Sequence, residues 1–146
     1  MKKAIEYLLL KSDVTNYQIS KATGIGQNVL SNYAIGKSSI GNMSLNNALK
    51  IHEFYKEMLK TMENEFGSVT VEGKEYTLVQ KAHLDYINIP HGEIARLVGD
   101  FYRANALDSD GGEHLVLWSP VEGYESMEDG SDHCNWSKPD WVLYNN

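Results

Sequence analysis

The chain has one cysteine, Cys134, and three prolines among its 146 residues. A lone cysteine excludes an internal disulfide, and sparse cysteine fits a reducing compartment. Metal-ligand spacing is missing too: His83, His91, His114, His133 and Cys134 form no recognised zinc pattern, and the adjacent His133 and Cys134 suit tetrahedral coordination poorly. No apolar run approaches the roughly 18 residues of a membrane span. The opening MKKAIEYLLLK is interrupted by Glu6 and has no small-residue cleavage site, so it reads as a helix rather than a signal peptide. There is no Gly-rich loop followed by Lys-Ser or Lys-Thr, no Gly-x-Ser-x-Gly and no His-Glu-x-x-His. DSDGGE lacks the remaining oxygen ligands of a calcium loop and reads as a turn. The expectation is a cytoplasmic protein with no catalytic residue, no metal, no cofactor and no membrane partner.

What is present is an uneven distribution of charge. Residues 1–62 hold eight lysines against four carboxylates, a net of +4. From Phe66 onward five basic residues face fourteen acidic ones, a net of -9. A basic surface attracts nucleic acid and an acidic one repels it or competes with it, so the split points to two modules with different partners.

The stretch TNYQISKATGIGQNVLSNYAIGK, from Thr15 to Lys37, carries the sharpest local signals. Thr15-Asn16-Tyr17-Gln18 fits a capping box, in which the Thr15 hydroxyl accepts from the Gln18 N–H and the Gln18 side chain reaches back. The helix that follows has Ile19 and Ala22 at helical spacing, with Gly24 where a left-handed residue would end it. Ile25 is the apolar residue of a tight turn and Gly26 a tolerated N-cap. Residues 27–33 then read as a second helix, with Val29 or Leu30 and Tyr33 inward and Gln27, Asn28, Ser31 and Asn32 outward. Two short helices joined by a glycine-containing turn are the helix-turn-helix arrangement, and outward amides can pair bidentately with adenine in the major groove. The alternative is a plain helical hairpin with a polar solvent face.

Gln18 through Tyr33, followed by Gly36-Lys37, resembles the helix-turn-helix of phage repressors of the lambda Cro and Xre type. Gly26 stands where serine is usual in that group, and Ala34-Ile35 replace the usual Glu-Asn. The resemblance implies a DNA-binding surface, here Gln18, Gln27, Asn28, Ser31 and Asn32, and the positive charge makes Lys2, Lys3, Lys21 and Lys37 candidates for neutralising phosphates. It also implies a homodimer on a palindromic double-stranded operator, because one recognition helix reads few base pairs. Ser44 caps a last helix whose stripe is Leu45, Ala48, Leu49, Ile51 or His52, Tyr55, Leu59 and Met62, with Tyr55, Met58 and Met62 as candidates for a dimer contact. These features predict an all-α domain over residues 1–65.

Beyond it the pattern becomes mixed. Val69, Thr70 and Val71 and then Tyr76, Thr77 and Leu78 flank Glu72-Gly73 as a hairpin, and strands over 101–107 and 114–118 flank the Asp108 to Gly112 turn. Residues 79–87 and 92–98 read as helices and 141–144 as a strand. The expected second domain, 68–146, is therefore a small acidic α+β domain centred on an antiparallel sheet. Its tail interleaves Tyr124 and Trp136 with Glu125, Glu128, Asp129 and Asp132, the composition of a surface that docks on a basic protein channel. The alternative is a solvated acidic loop whose aromatics fold back onto a core.

The Tyr17 to Ile25 stretch is also similar to the N-terminal domains of type II-A anti-CRISPR proteins from Gram-positive phages and mobile elements. That resemblance, confined to about residues 1–62, implies a bacterial host cell, repression of the protein's own promoter and a C-terminal domain that inhibits Cas9. The competing expectation is a plain phage-type transcription regulator whose C-terminal domain supplies dimerisation or effector sensing. An enzyme tethered to DNA is the weakest reading.

Overall fold

The structure, a computed structural model, describes residues 1–92, 94–128 and 130–144. The chain divides into two compact units, Met1–Asn64 with Ser109–Gly112, and Glu65–Asp108 with Glu113–Asn146.

Helices come first. Helix α1 (Lys2–Glu6) runs on into a π-helical turn, Tyr7–Lys11, and the two bury Ala4, Ile5, Leu8 and Leu9. Helices α2 (Asn16–Thr23) and α3 (Gln27–Ala34) follow, with eight residues each, and α4 (Leu45–Phe66) has 22. The Ser44 hydroxyl accepts from the Asn47 N–H at 3.2 Å and so starts α4. Ile19, Ile25, Leu30, Ile51 and Tyr55 join the α1 residues in the core of this unit. The expected stripe of α4 is only partly used: Ile51 and Tyr55 are buried, whereas Leu45 and Leu49 are exposed.

The second unit is built on an antiparallel sheet of six strands: β1 (Ser68–Val71), β2 (Lys74–Leu78), β3 (His83–His91), β4 (Ala95–Leu107), β5 (Glu113–Trp118) and β6 (Trp141–Tyr144). The order is β1-β2-β4-β5-β6, with β3 also on β4. Glu72 and Gly73 link β1 to β2 with φ of 53° and 78°, the two positive values that a type I′ turn requires. β4 pairs with β3 over 95–103, with β5 over 102–107 and with β2 at Ala106 and Leu107. The far part of the β3–β4 pair is thus a two-stranded ribbon, and His91 at its end meets the Trp141 ring of β6 at 4.7 Å. One face of the sheet holds Val69, Leu78, Ala104, Ala106, Val116 and Trp118, with Cys134 and the partly buried Phe66, Tyr76, Tyr102 and Trp136 packed against them.

The α+β expectation is overturned here. Residues 83–87 and 95–98 of the two expected helices are strand, 79–82 lie outside any helix or strand, and Glu93, within the expected 92–98 helix, lies outside the described residues. Apart from the last two residues of α4, the only helical pieces among the described residues of this unit are the 3₁₀ turns Tyr124–Ser126 and Gly130–Asp132. Ala95, Arg96 and Leu97 favour helix locally, but nine consecutive register pairs with β3 provide backbone partners that outweigh so weak a preference. Among the described residues no helix is long and apolar enough to cross a membrane.

Candidate functional site

The helix pair α2–α3 is fixed by local chemistry at three points. Thr15 Oγ1 accepts from the Gln18 N–H at 3.1 Å and Gln18 Oε1 accepts from the Thr15 N–H at 3.0 Å. Gly24 sits in the left-handed region at φ 78°, its N–H donating to the Ser20 carbonyl at 2.8 Å. The Thr23 hydroxyl donates to the Ile19 carbonyl at 2.7 Å and accepts from the Ile25 N–H at 3.2 Å, which holds the turn between the helices. Gly26 then enters α3 in an extended conformation, and no side chain caps the first N–H groups of α3. Uncapped amides and the positive end of the helix dipole favour an anion there.

Gln27 and Asn28 occupy the first turn of α3 and are exposed; Ser31 and Asn32, one turn on, are half-buried. The four form one strip, since residues three and four apart are neighbours on a helix. Gln18 and Lys21 lie exposed on α2, and Lys37 lies exposed just after Gly36, which takes φ of 80°. Gln18 has a structural task that its exposure does not reveal, because its side-chain oxygen is already held by the Thr15 N–H. The strip can present amide and hydroxyl groups to base edges, with lysines alongside for phosphates.

No protein-family model matches this chain, and no curated protein matches it.

The acidic segment lies in the second unit. Its backbone is tied down where Val121 N–H donates to the His133 carbonyl at 2.7 Å. His133 Nε2 lies 3.0 Å from the Met127 carbonyl, which can only accept, so Nε2 carries the proton; in the neutral ring Nδ1 then accepts from the Tyr102 hydroxyl at 2.6 Å. Tyr124 packs edge-on against Tyr102 and His133. Its phenol is pushed above the usual range by desolvation, then by the Glu125 and Asp100 carboxylates. Trp136 packs against Trp118 and Tyr102 and donates Nε1–H to the Gly130 carbonyl at 3.2 Å. Both aromatics are therefore half-buried and turned toward the sheet, while Glu125, Glu128 and Asp132 are exposed. Asp129 lies outside the described residues.

The histidines and cysteine have other work. His114 is buried with Nε2 2.7 Å from Asp108 Oδ2, an oxygen that Lys74 Nζ also reaches at 3.3 Å. Cys134 is in the apolar core, where burial, then Asp140, pushes its thiol up to about 12. Among the described residues no group of three or more His, Cys, Asp or Glu side chains is placed to hold a metal ion. A feature that sequence reasoning missed is an aromatic cleft in the second unit lined by Phe66, Tyr102, Trp118 and Trp136. Its only advance signal was the pairing of Tyr102 with Trp118 across two strands, visible once the register is known.

Proposed function

We infer that the chain is a cytoplasmic DNA-binding repressor that acts as a homodimer on a palindromic operator at its own promoter. The observation that carries this reading is the exposed strip of Gln27 and Asn28, with Ser31 and Asn32 behind them, on a short helix set against α2 by a two-sided cap and a left-handed glycine. In this reading α3 enters the major groove as the second helix of a helix-turn-helix. The amides of Gln27 and Asn28 read bases, and Lys21 and Lys37 hold phosphates without reading sequence. The +4 charge of residues 1–62 supports the assignment.

The acidic unit is inferred to bind a basic protein target through Glu125, Glu128 and Asp132, with Asp129 between them in sequence. Given the resemblance of the Tyr17 to Ile25 stretch to type II-A anti-CRISPR proteins, the target proposed is Cas9, whose nucleic-acid channel such carboxylates would occupy in place of phosphates. Tyr124 and Trp136 support this surface from below by packing rather than by projecting outward. The second reading, a plain regulator whose C-terminal unit serves dimerisation or effector sensing, is favoured by the aromatic cleft, since an acidic docking surface does not require one.

The test of the DNA reading is a band-shift titration of the full chain against the Gln27→Ala, Asn28→Ala double variant. Each amide–adenine pair contributes about 1 to 3 kcal/mol of discrimination, so the variant loses specific binding and keeps the salt-dependent background. Unchanged specific affinity would remove the recognition-helix assignment.

A further inference from the structure

By register, Leu84, Tyr86 and Asn88 of β3 share one face of the β3–β4 ribbon with Tyr102, Asp100 and Val98 of β4. Tyr86 stands opposite Asp100, Leu84 opposite Tyr102, and Val98 lies diagonal to Tyr86, within side-chain reach. Leu84, Tyr86 and Val98 are 42%, 62% and 52% exposed, whereas Ile87, on the other face of the ribbon, is buried. Single exposed apolar residues are ordinary, but three grouped on one strand pair form a patch of the kind that marks an interaction surface.

The charge beside this patch has one sign. Asp100 lines a recess of about 390 Å³ together with Val121, Glu122, Tyr124 and Glu125. All three carboxylates are exposed, and those of Glu125 and Asp100 both act on the Tyr124 phenol. The cation on the same ribbon face, Arg96, lies four residues from Asp100, about 13 Å along the strand. It is tied to Asn88, donating from Nε to the side-chain oxygen at 2.7 Å and from Nη2 to the carbonyl at 3.2 Å. The complement of a carboxylate-lined recess beside an apolar patch is a cation flanked by apolar groups. We propose that a basic protein segment docks here, with an arginine or lysine side chain in the recess of Asp100, Glu122 and Glu125 and apolar neighbours covering Leu84, Tyr86 and Val98. This rests on the reading of the acidic unit as the binder of a basic protein, and adds to it an apolar centre and a carboxylate, Asp100, from the ribbon.

The test is calorimetric titration of purified Cas9, the target proposed above, with the full chain at physiological salt. The Leu84→Thr, Tyr86→Thr double variant removes the patch at exposed positions, and threonine retains the preference for strand. Asp100→Asn removes one charge of the recess at constant size. The double variant is expected to bind at least about tenfold more weakly and Asp100→Asn several-fold more weakly, both with the urea midpoint of the parent. If the double variant loses stability, Asp100→Asn decides alone. Parental affinity in either variant would overturn the docking face, and the acidic reading survives that result if charge reversal at Glu128 and Asp132 abolishes binding. A parent chain that does not bind would overturn that reading and the docking face together.

Discussion

Replacing Gly24 by alanine isolates the cost of the joint between α2 and α3. Gly24 holds φ of 78° and ψ of 1°, and a Cβ built there meets nothing within 4 Å, so the penalty is backbone conformation without a clash. An L-residue in that conformation costs about 1 to 2 kcal/mol. Alanine returns about 0.4 to 1 kcal/mol by restricting the unfolded chain, which leaves a net loss near 1 kcal/mol. Asparagine, which visits this region readily, should lose less. The assay is urea unfolding followed by circular dichroism at 222 nm, because every α-helix of the described residues lies between Lys2 and Phe66. At slopes of about 1 to 3 kcal/mol per molar, the midpoint should fall by about 0.3 to 1 M for Gly24→Ala and by less for Gly24→Asn. An alanine midpoint equal to or above that of the parent would refute the argument that the left-handed cap, rather than packing, requires glycine.

Three further outcomes are expected. His52 stacks on Tyr55 at 6.5 Å, and burial, then the Lys56 ammonium and the chain N-terminus, hold its ring below the usual 6.5, against the opposing pull of Glu53 and Asp110. The folded state then takes up its proton later than the unfolded chain, so stability is full above about pH 6.5 and falls as the pH drops through the lowered value; urea midpoints at pH 7.5 and 5 should differ less in His52→Gln. Cys134, with its thiol pushed up to about 12, should resist iodoacetamide at pH 8 in the native protein and react once urea unfolds it. Reversing charge at the exposed Glu125, Glu128 and Asp132 should leave the melting temperature nearly unchanged, since surface substitutions away from special features stay within about 0.5 kcal/mol, while abolishing capture by a basic target such as Cas9. Normal capture would reduce the segment to solvated surface.

Much of the first unit was legible because short-range chemistry specifies it. The Thr15–Gln18 cap, the Gly24 terminator and the Ser44 cap each depend on residues within four positions. The hairpin at Glu72-Gly73 was legible for the same reason. The long β3–β4 ribbon was not, because its sequence sends mixed signals. Leu84 and Tyr86 alternate on one face and Ile87 and Ile89 on the other, so apolar residues fall on both sides and the two-residue period is hidden. Pro90 and the helix-favouring Ala95 to Leu97 added to the confusion, and long-range pairing decided the outcome. The site divides similarly. Outward exposure of Gln27 and Asn28 followed from helix periodicity, whereas the inward turn of Trp136 depended on Trp118, eighteen residues away in sequence, and on the Gly130 carbonyl. The engagement of Gln18 in its own cap followed from the capping box, yet the same side chain was also assigned to DNA, two demands that its exposure alone does not separate.

The most direct measurement is selection of double-stranded DNA from a random-sequence pool by the full chain at physiological salt, repeated with Gln27→Ala, Asn28→Ala. A repressor of the kind inferred enriches a palindromic site and binds it at about 10⁻⁸ M or tighter, and the variant no longer enriches it. A pool without any enriched sequence, or the same site recovered by the variant, would contradict the assignment of α3 as the element that reads DNA.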